Sequence, residues 1–289
     1  ADMIQLADGR WYMVSLGKRN DLDGDANMGR ETYLIPMKWE PTIVKWQQVS
    51  ETKWEPVRYL FPVAAPLSGK VERFFPLPFP EKPQYINNSY IDDFTSSNLK
   101  LDWTFIRVPK QNTISLTDNP GHLRLYPQST TIENRKNFSM IGFRQRESDF
   151  DYQVKMNFMP KKNKVESGII HYQKERNYLT SVVYKVGKKF FLEQMLKEKD
   201  KNVTLLKKVH LKKYSGSIIF KTESREDRYT FYYSLDNGET FTSFNSIDAI
   251  KMLDRNYTGA LLGMYATSNG VSSKDYADFD WIRYNDFIR

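Results

Sequence analysis

A glycine, an arginine and an acid stand together at residues 29–31, at the start of a run with strand-like alternation. The guanidinium of Arg30 is a planar fork of donors that suits hydroxyl or carboxylate oxygens. The next residue, Glu31, is an acid that can hold this fork in place. A purely structural Arg30–Glu31 ion pair is the alternative, and spacing alone leaves the two interpretations equal.

Other types of chemistry have weaker support. The three histidines, His122, His171 and His210, lie far apart, and no metal-ligand spacing such as HExxH occurs. The chain has no cysteine, which excludes disulfides, thiolate metal sites and cysteine nucleophiles. We therefore expect the histidines to be packed or solvated residues.

An acidic loop at residues 21–25 resembles the start of a calcium-binding loop. It departs from the EF-hand pattern, because Ala26 stands where that loop needs glycine and Thr32 where it needs glutamate. We expect a solvated loop and predict neither a metal site nor a cofactor.

Two further motifs indicate local structure. Residues 234–241 follow the Asp-box pattern S-x-D-x-G-x-T-F, in which the Asp accepts turn hydrogen bonds and Gly238 supplies a positive φ. This pattern predicts a hairpin turn. The lysine-rich segment 197–213 is predicted to be a solvated hairpin.

The elements that must position these residues are predicted to be strands. Residues 3–6 and 11–16 flank an Asp8-Gly9 turn, which is a strong hairpin signal, and another strand is expected at residues 32–39. One helix of about two turns is expected at residues 246–253. Many short runs with a period of two predict a sandwich or barrel. These runs are residues 123–126, 152–158, 168–172, 178–186, 190–195, 217–221, 229–234, 259–266 and 277–284.

Prolines are frequent at residues 62–83, and the run Pro76-Leu77-Pro78-Phe79-Pro80 is incompatible with a central strand. We interpret this segment as an extended connector and predict domains at residues 1–85 and 86–289.

The composition favours strands, since aromatic residues make up 15% of the 289 residues. The net charge is +8, but the lysines are spread along the chain among nearly as many acids, so no nucleic-acid partner is predicted. No apolar run approaches the roughly 20 residues that span a bilayer, and no membrane partner is expected. The chain opens without an initiator methionine or a leader, so we expect it to begin partway through a longer polypeptide.

Two sets of residues resemble glycoside hydrolase family 43. Ala1-Asp2, the strand W-Y-M-V at residues 11–14 and M-G-R-E-T at residues 28–32 resemble the end of that family's five-bladed β-propeller. The rest resembles its concanavalin A-like xylosidase domain, through D-D-F at 92–94, L-D-W-T-F-I-R at 101–107, P-G-H-L-R-L at 120–125, Y-Y-S-L-D at 232–236, Y-T-G-A at 257–260 and A-D-F-D-W at 277–281.

The resemblance implies an all-β chain, in which a concanavalin A-like β-sandwich (jelly roll) follows the final part of a propeller. It also implies hydrolysis of xylosides or arabinofuranosides with inversion, in which one carboxylic acid protonates the leaving oxygen and a second carboxylate activates water. In the family these carboxylates belong to earlier blades, so no catalytic residue is assigned to this chain.

Four residues take roles from the resemblance. Arg30 matches the arginine that holds the sugar at the cleavage site. Tyr257 matches an aromatic residue, usually Phe, that the second domain extends over the propeller pocket, and its hydroxyl is a departure from the pattern. Glu31 and Asp2 are expected to support the site without touching substrate.

The expected partners are a plant-derived oligosaccharide or polysaccharide and the remaining propeller blades, in the same or another chain. The first segment could alternatively pack onto the sandwich alone. Two rival functions stay open: a non-catalytic carbohydrate-binding or structural module, and a degenerate homologue without activity. Exposed aromatics in a row on the concave face of the sandwich would favour binding. A single aromatic at Tyr257 would favour pocket closure.

Overall fold

The computed structural model describes residues 1–19, 27–79, 89–109, 113–253 and 257–287. The chain divides into two compact units. The first comprises Ala1–Arg19 and Arg30–Tyr85, and the second comprises Asn20–Gly29 and Ile86–Arg289. The division into domains 1–85 and 86–289 stays a prediction, and the observed grouping differs from it by placing residues 27–29 with the second unit.

The first unit is a four-stranded antiparallel sheet in the order β1-β2-β3-β4. Its strands are β1 (Asp2–Gln5), β2 (Trp11–Lys18), β3 (Arg30–Ser50) and β4 (Lys53–Ala64). The predicted hairpin at Asp8-Gly9 is confirmed, and Gly9 adopts the positive φ of 86° that such a turn requires. Four-stranded sheets of this kind are the blades of β-propellers.

The β3–β4 hairpin extends well beyond the rest of this sheet. β2 pairs with β3 only from Trp11↔Met37 to Lys18↔Arg30, whereas β3 pairs with β4 from residue 37 to residue 50. The outer part of the hairpin is therefore a two-stranded ribbon. Trp46 and Trp54 are more than half exposed on it.

The second unit contains two antiparallel sheets that form a β-sandwich. The eight-stranded sheet has the order β17-β16-β15-β10-β19-β8-β7, with β5 pairing to β19, and the seven-stranded sheet has the order β14-β13-β12-β11-β18-β9-β6. The strands are β5 (Ser89–Asp92), β6 (Trp103–Thr104), β7 (Ile114–Ser115), β8 (Leu123–Leu125), β9 (Ser139–Arg144), β10 (Asp149–Asn157), β11 (Glu166–Lys174), β12 (Asn177–Val186), β13 (Lys189–Glu198), β14 (Thr204–His210), β15 (Ser217–Arg225), β16 (Arg228–Ser234), β17 (Thr242–Asp248), β18 (Leu261–Thr267) and β19 (Ala277–Phe287).

Alternation of apolar side chains builds the core of the sandwich. On β10, Phe150, Tyr152, Val154 and Met156 are fully buried, while the residues between them are partly exposed. This period of two places one face of each strand against the opposite sheet. A second apolar cluster, containing Ile132, Phe138 and Tyr265 among others, covers the other face of the seven-stranded sheet.

The nine strand-like runs expected in this unit all correspond to strands, but the expected helix at residues 246–253 is wrong. Residues up to Asp248 belong to β17, and only Ala249–Met252 form a single 3₁₀ turn. β17 forms an antiparallel ladder with β16, and this pairing holds residues 242–248 in the extended conformation. Tertiary pairing thus overrides a weak helical pattern. None of the helices in the described ranges is long and apolar enough to cross a membrane.

Candidate functional site

Residues 27–29 form a backbone seam with the segment that leads into β18. The N–H of Ala260 donates to the carbonyl of Asn27 at 2.6 Å, and the guanidinium of Arg144 donates to the carbonyl of Met28 at 2.9 Å. The N–H of Gln145 in turn donates to the carbonyl of Ala260 at 3.0 Å. The segment at residues 257–260 is therefore held between residues 27–29 and the end of β9.

Two glycines allow the two backbones of this seam to approach each other. A Cβ on Gly29 would lie 2.3 Å from the N atom of Gly259 and 2.9 Å from the carbonyl oxygen of Tyr257. A Cβ on Gly259 would lie 2.6 Å from the carbonyl oxygen of Met28. These distances leave no room for a side chain at either glycine, because the obstructing atoms belong to the backbone and cannot rotate away. Gly29 also has a φ of 70°, which disfavours other residues.

Buried polar side chains next to the seam hold its backbone in place. Asn27 is 2% exposed, and its side-chain oxygen lies 3.4 Å from the hydroxyl of Ser148. The hydroxyl of Tyr229 donates to the side-chain oxygen of Gln145 at 3.3 Å. Burial of this ring raises the pKa of Tyr229 to about 12, so the hydroxyl stays protonated and able to donate.

Tyr257 projects from the sandwich at this seam. Its side chain is 66% exposed, whereas Gly259 and Ala260, which follow it, are buried. An exposed ring on a fixed backbone is suited to contact with a ligand, since little conformational freedom is lost on binding.

Arg30 and Glu31 are the first residues of β3 in the first unit. The carboxylate of Glu31 accepts two hydrogen bonds from the guanidinium of Arg19, at 2.7 and 2.6 Å. Neighbouring residues on a strand point to opposite faces, so Arg30 and Glu31 are directed apart. The side chain of Arg30 is exposed.

The remaining expectations concern Asp2 and metals. Asp2 begins β1, is exposed and pairs with Val14 of β2. The acidic loop at residues 21–25 lies outside the described residues. Within the residues that the structure describes, no group of three or more histidines and acids is arranged to hold a metal ion.

The Asp-box forms the predicted turn between β16 and β17. Asp236 accepts hydrogen bonds from the hydroxyl of Ser234 at 2.6 Å and from the N–H of Thr240 at 3.0 Å, and Gly238 has a φ of 93°. These hydrogen bonds, chiefly the one from Ser234, lower the pKa of Asp236 to about 2. The motif is structural here.

The second unit matches a known family. The model of the beta xylosidase C-terminal concanavalin A-like domain matches residues 91–285, which is more than half of the chain. The chain belongs to this family. The predicted all-β fold class is confirmed: a concanavalin A-like sandwich follows the final part of a propeller, and the resemblance to glycoside hydrolase family 43 is confirmed with it.

Proteins similar in sequence to this chain are named as arabinofuranosidases and xylosidases. A non-reducing end alpha-L-arabinofuranosidase of Bacteroides ovatus is 30% identical over 98% of this chain and 50% of that protein. A xylosidase/arabinosidase of Butyrivibrio fibrisolvens is 27% identical over 97% and 51%. A solved structure described as Bacteroides ovatus xyloglucan PUL GH43B superposes with a TM-score of 0.83 at 27% identity, covering 99% of this chain and 53% of that one. The chain spans about half the length of the curated relatives it matches.

Among the described residues, most aromatic side chains on the outer face of the seven-stranded sheet are buried or covered by other side chains. Tyr172, Tyr178 and Tyr265 are buried. Tyr184 and Phe191 stack on each other with centroids 5.9 Å apart, and the ammonium of Lys208 lies over both rings. The arrangement that would favour a binding module is therefore not formed by these residues.

The sequence did not single out Asn27, Arg144 and Gln145, which position the seam. The partners that hold the seam are far away in the sequence: Asn27 contacts Ser148 and Ala260, Arg144 bonds to Met28, and Gln145 bonds to Ala260. The only local signal was the glycine in each of the motifs M-G-R-E-T and Y-T-G-A.

Proposed function

We propose that this chain is part of an inverting glycoside hydrolase that cleaves xylosides or arabinofuranosides of plant cell-wall polysaccharide, with the sandwich completing the substrate pocket. Membership of the xylosidase-domain family supports this proposal, as do the names of the relatives in Bacteroides ovatus and Butyrivibrio fibrisolvens. The observation that carries it is the seam between residues 27–29 and 257–260, which fixes the backbone of the exposed Tyr257.

Arg30 and Tyr257 are the proposed substrate-binding residues. The guanidinium of Arg30 would donate to sugar hydroxyl oxygens, and the ring of Tyr257 would pack on the sugar and exclude water. The backbone of Tyr257 lies against Gly29, and Gly29 directly precedes Arg30 in the sequence. Glu31 would act indirectly through its pair with Arg19, and Asp2 would support the propeller. No catalytic carboxylate is assigned to this chain.

The remaining propeller blades, in the same or another chain, would supply the acid and the base. In the inverting scheme the acid protonates the leaving oxygen while the base deprotonates a water that attacks the opposite face of the ring. Arg30 and Tyr257 contribute by orienting the sugar for that attack. Correct orientation of reacting groups contributes several kcal/mol to a rate enhancement, roughly 7–11 kcal/mol at the limit.

The test is release of 4-nitrophenol from its β-xyloside and α-L-arabinofuranoside, with the intact mass of the purified protein measured in parallel. We expect turnover from a protein that carries the remaining blades, and proton NMR should show the product anomer opposite to that of the substrate. Arg30→Ala should abolish turnover, whereas Arg58→Ala, at an exposed arginine of the same unit, should not.

The alternative is a non-catalytic carbohydrate-binding or structural module. Absence of turnover from the complete protein, together with retained sugar binding, would favour that alternative. Retention of the anomeric configuration would contradict the inverting mechanism.

A further inference from the structure

A cavity of about 390 Å³ opens at the end of the sandwich opposite Tyr257. It lies where β10 ends at Asn157, β15 begins at Ser217 and β19 begins at Ala277. The seam that carries Tyr257 lies instead beside Arg144 and Gln145, at the other end of the same sheets. This volume is in the range of small-ligand pockets.

Tyr276 presents an aromatic ring in this cavity and is 44% exposed. The guanidinium of Arg124 lies 3.7 Å from the centroid of the ring. This stacking covers one face of the ring and holds the ring in one orientation. The ring is therefore a rigid platform at the mouth of the cavity.

A chain of buried groups fixes Arg124. Its guanidinium donates two hydrogen bonds to the carboxylate of Asp278, at 2.7 and 2.8 Å, and the amide of Asn119 donates to the same carboxylate at 2.9 Å. Asp278 is only 7% exposed. The pair raises the pKa of Arg124 further, chiefly through the hydrogen bonds to Asp278, so this support is charged at all ordinary pH values.

The acids of the cavity already accept hydrogen bonds from groups of the protein. Asp275 is buried and accepts hydrogen bonds from the N–H groups of Lys161 and Lys162, at 2.9 and 3.2 Å, and from the hydroxyl of Ser273. Asp278 is paired with Arg124. Lys161 and Lys274 are exposed residues of the cavity lining, and their ammonium groups form no ion pair within the described part of the chain. The cavity consequently offers two lysines beside an aromatic platform, while the buried carboxylate of Asp275 is already occupied by hydrogen bonds.

We propose that this cavity binds an acidic sugar, namely a pyranose ring that carries a carboxylate, such as a uronic acid. The apolar C–H face of the pyranose packs on Tyr276, and the carboxylate faces Lys161 and Lys274. Ser215, Ser217 and Asn157 belong to the same lining, and a hydroxyl or an amide can bond to sugar hydroxyls. A wholly neutral ligand would gain no ion pair with these two exposed lysines.

Isothermal titration of the 289-residue chain tests this directly. The first pair of probes is xylotriose with and without a glucuronic acid branch. The choice of a xylose backbone rests on the proposed function. Methyl β-D-glucuronoside and methyl β-D-glucoside repeat the comparison without xylose. Because no turnover is measured, failure of hydrolysis and failure of this site are distinguishable.

We expect the acidic member of each pair to bind at least about fivefold more tightly. Tyr276→Ala should weaken binding by roughly tenfold. The double variant Lys161→Gln with Lys274→Gln should remove the preference for the acidic sugar and keep binding of the neutral one. High salt should narrow the preference, because these charges are exposed.

Phe287→Ala is the matched control. Phe287 is 42% exposed and also lies against a guanidinium, that of Arg225 at 4.3 Å, but at the far end of β19. It should leave sugar binding unchanged. Equal binding of acidic and neutral sugars, or equal losses in the Tyr276 and Phe287 variants, would overturn the proposal. The absence of any binding would overturn it as well.

Discussion

At the scale of single residues, two glycines decide how the segment at residues 257–260 is held. Gly29 and Gly259 approach each other so closely that neither position has room for a methyl group. The seam is therefore a steric requirement of the sequence, and the glycine in each family motif has a physical reason.

Substitution of Gly29 by alanine tests this requirement. Gly29→Ala adds a Cβ 2.3 Å from backbone, whereas Gly187→Ala has a similar φ of 59° and nothing within 4 Å. Both variants incur the strain of a positive φ, about 1–2 kcal/mol. Denaturant unfolding should show Gly29→Ala to be less stable than Gly187→Ala by about a further 2 kcal/mol. Equal stabilities would mean that the seam relaxes without cost.

His171 makes stability depend on pH. It is 1% exposed among Tyr152, Tyr229 and Phe231, and burial lowers its pKa from 6.5 to about 3. The unfolded chain therefore binds more protons below pH 6.5, so stability is complete above pH 6.5 and falls as the pH decreases toward 3. The loss would be on the order of a few kcal/mol.

Denaturant unfolding between pH 7 and pH 4 checks this dependence by comparing the protein with His171→Leu. The variant should lose less stability on acidification. The comparison is needed because burial raises the pKa of Glu166 to about 7. This shift increases the free energy of unfolding as the pH falls, opposite to the effect of His171. His210→Gln, at a partly exposed histidine, is the control, and parallel curves for the protein and His171→Leu would exclude His171 as the cause.

Prediction from the sequence was least complete at this scale. Arg30 and Glu31 were placed correctly at the start of a strand, but Glu31 pairs with Arg19, which is twelve residues earlier. Neither Asn27 nor Gln145 was indicated, because a buried amide is recognisable only when its distant partners are known. The roles of Arg30, Tyr257, Glu31 and Asp2 stay predictions.

At the scale of elements, the β3–β4 hairpin stands out. The first part of β3 pairs with β2, which also pairs with β1, whereas the part beyond Met37 pairs with β4 alone. This outer part is a ribbon with exposed tryptophans. Two-stranded ribbons are marginally stable in water on their own. The outer part should therefore open locally more often than the rest of its sheet.

Hydrogen exchange measured by mass spectrometry can resolve this difference. Amides at residues 45–49 and 53–58 should exchange at least about tenfold faster than those at residues 33–37, which pair with β2 in the multi-stranded part of the sheet. The β10 amides, central in the eight-stranded sheet, provide the slow reference. Equal protection along β3 would show that a further surface covers the outer ribbon.

Many strands were predictable because buried and partly exposed residues alternate along them, as on β10. Short strands such as β6 and β7 were missed, since two residues carry no period. β9 was also missed, because five of its six residues are buried and hence show no alternation. The turn at Asp236 was predicted correctly because its hydrogen bonds are local.

At the scale of the whole molecule, the family and the fold class followed from ordered motifs, and the comparisons confirm both. Substrate identity does not follow from these motifs, since relatives of similar likeness are named as arabinofuranosidase and as xylosidase/arabinosidase. The central claim is that Tyr257 of the sandwich takes part in recognition of the sugar being cleaved.

The most direct test of that claim is kcat/KM for 4-nitrophenyl β-xyloside and α-L-arabinofuranoside, measured with the protein that carries the remaining blades. Tyr257→Ala should lower kcat/KM by about tenfold or more, because the ring is lost from a sugar contact. Tyr257→Phe, which keeps the ring, should retain most of the activity. An unchanged kcat/KM in Tyr257→Ala would contradict the account.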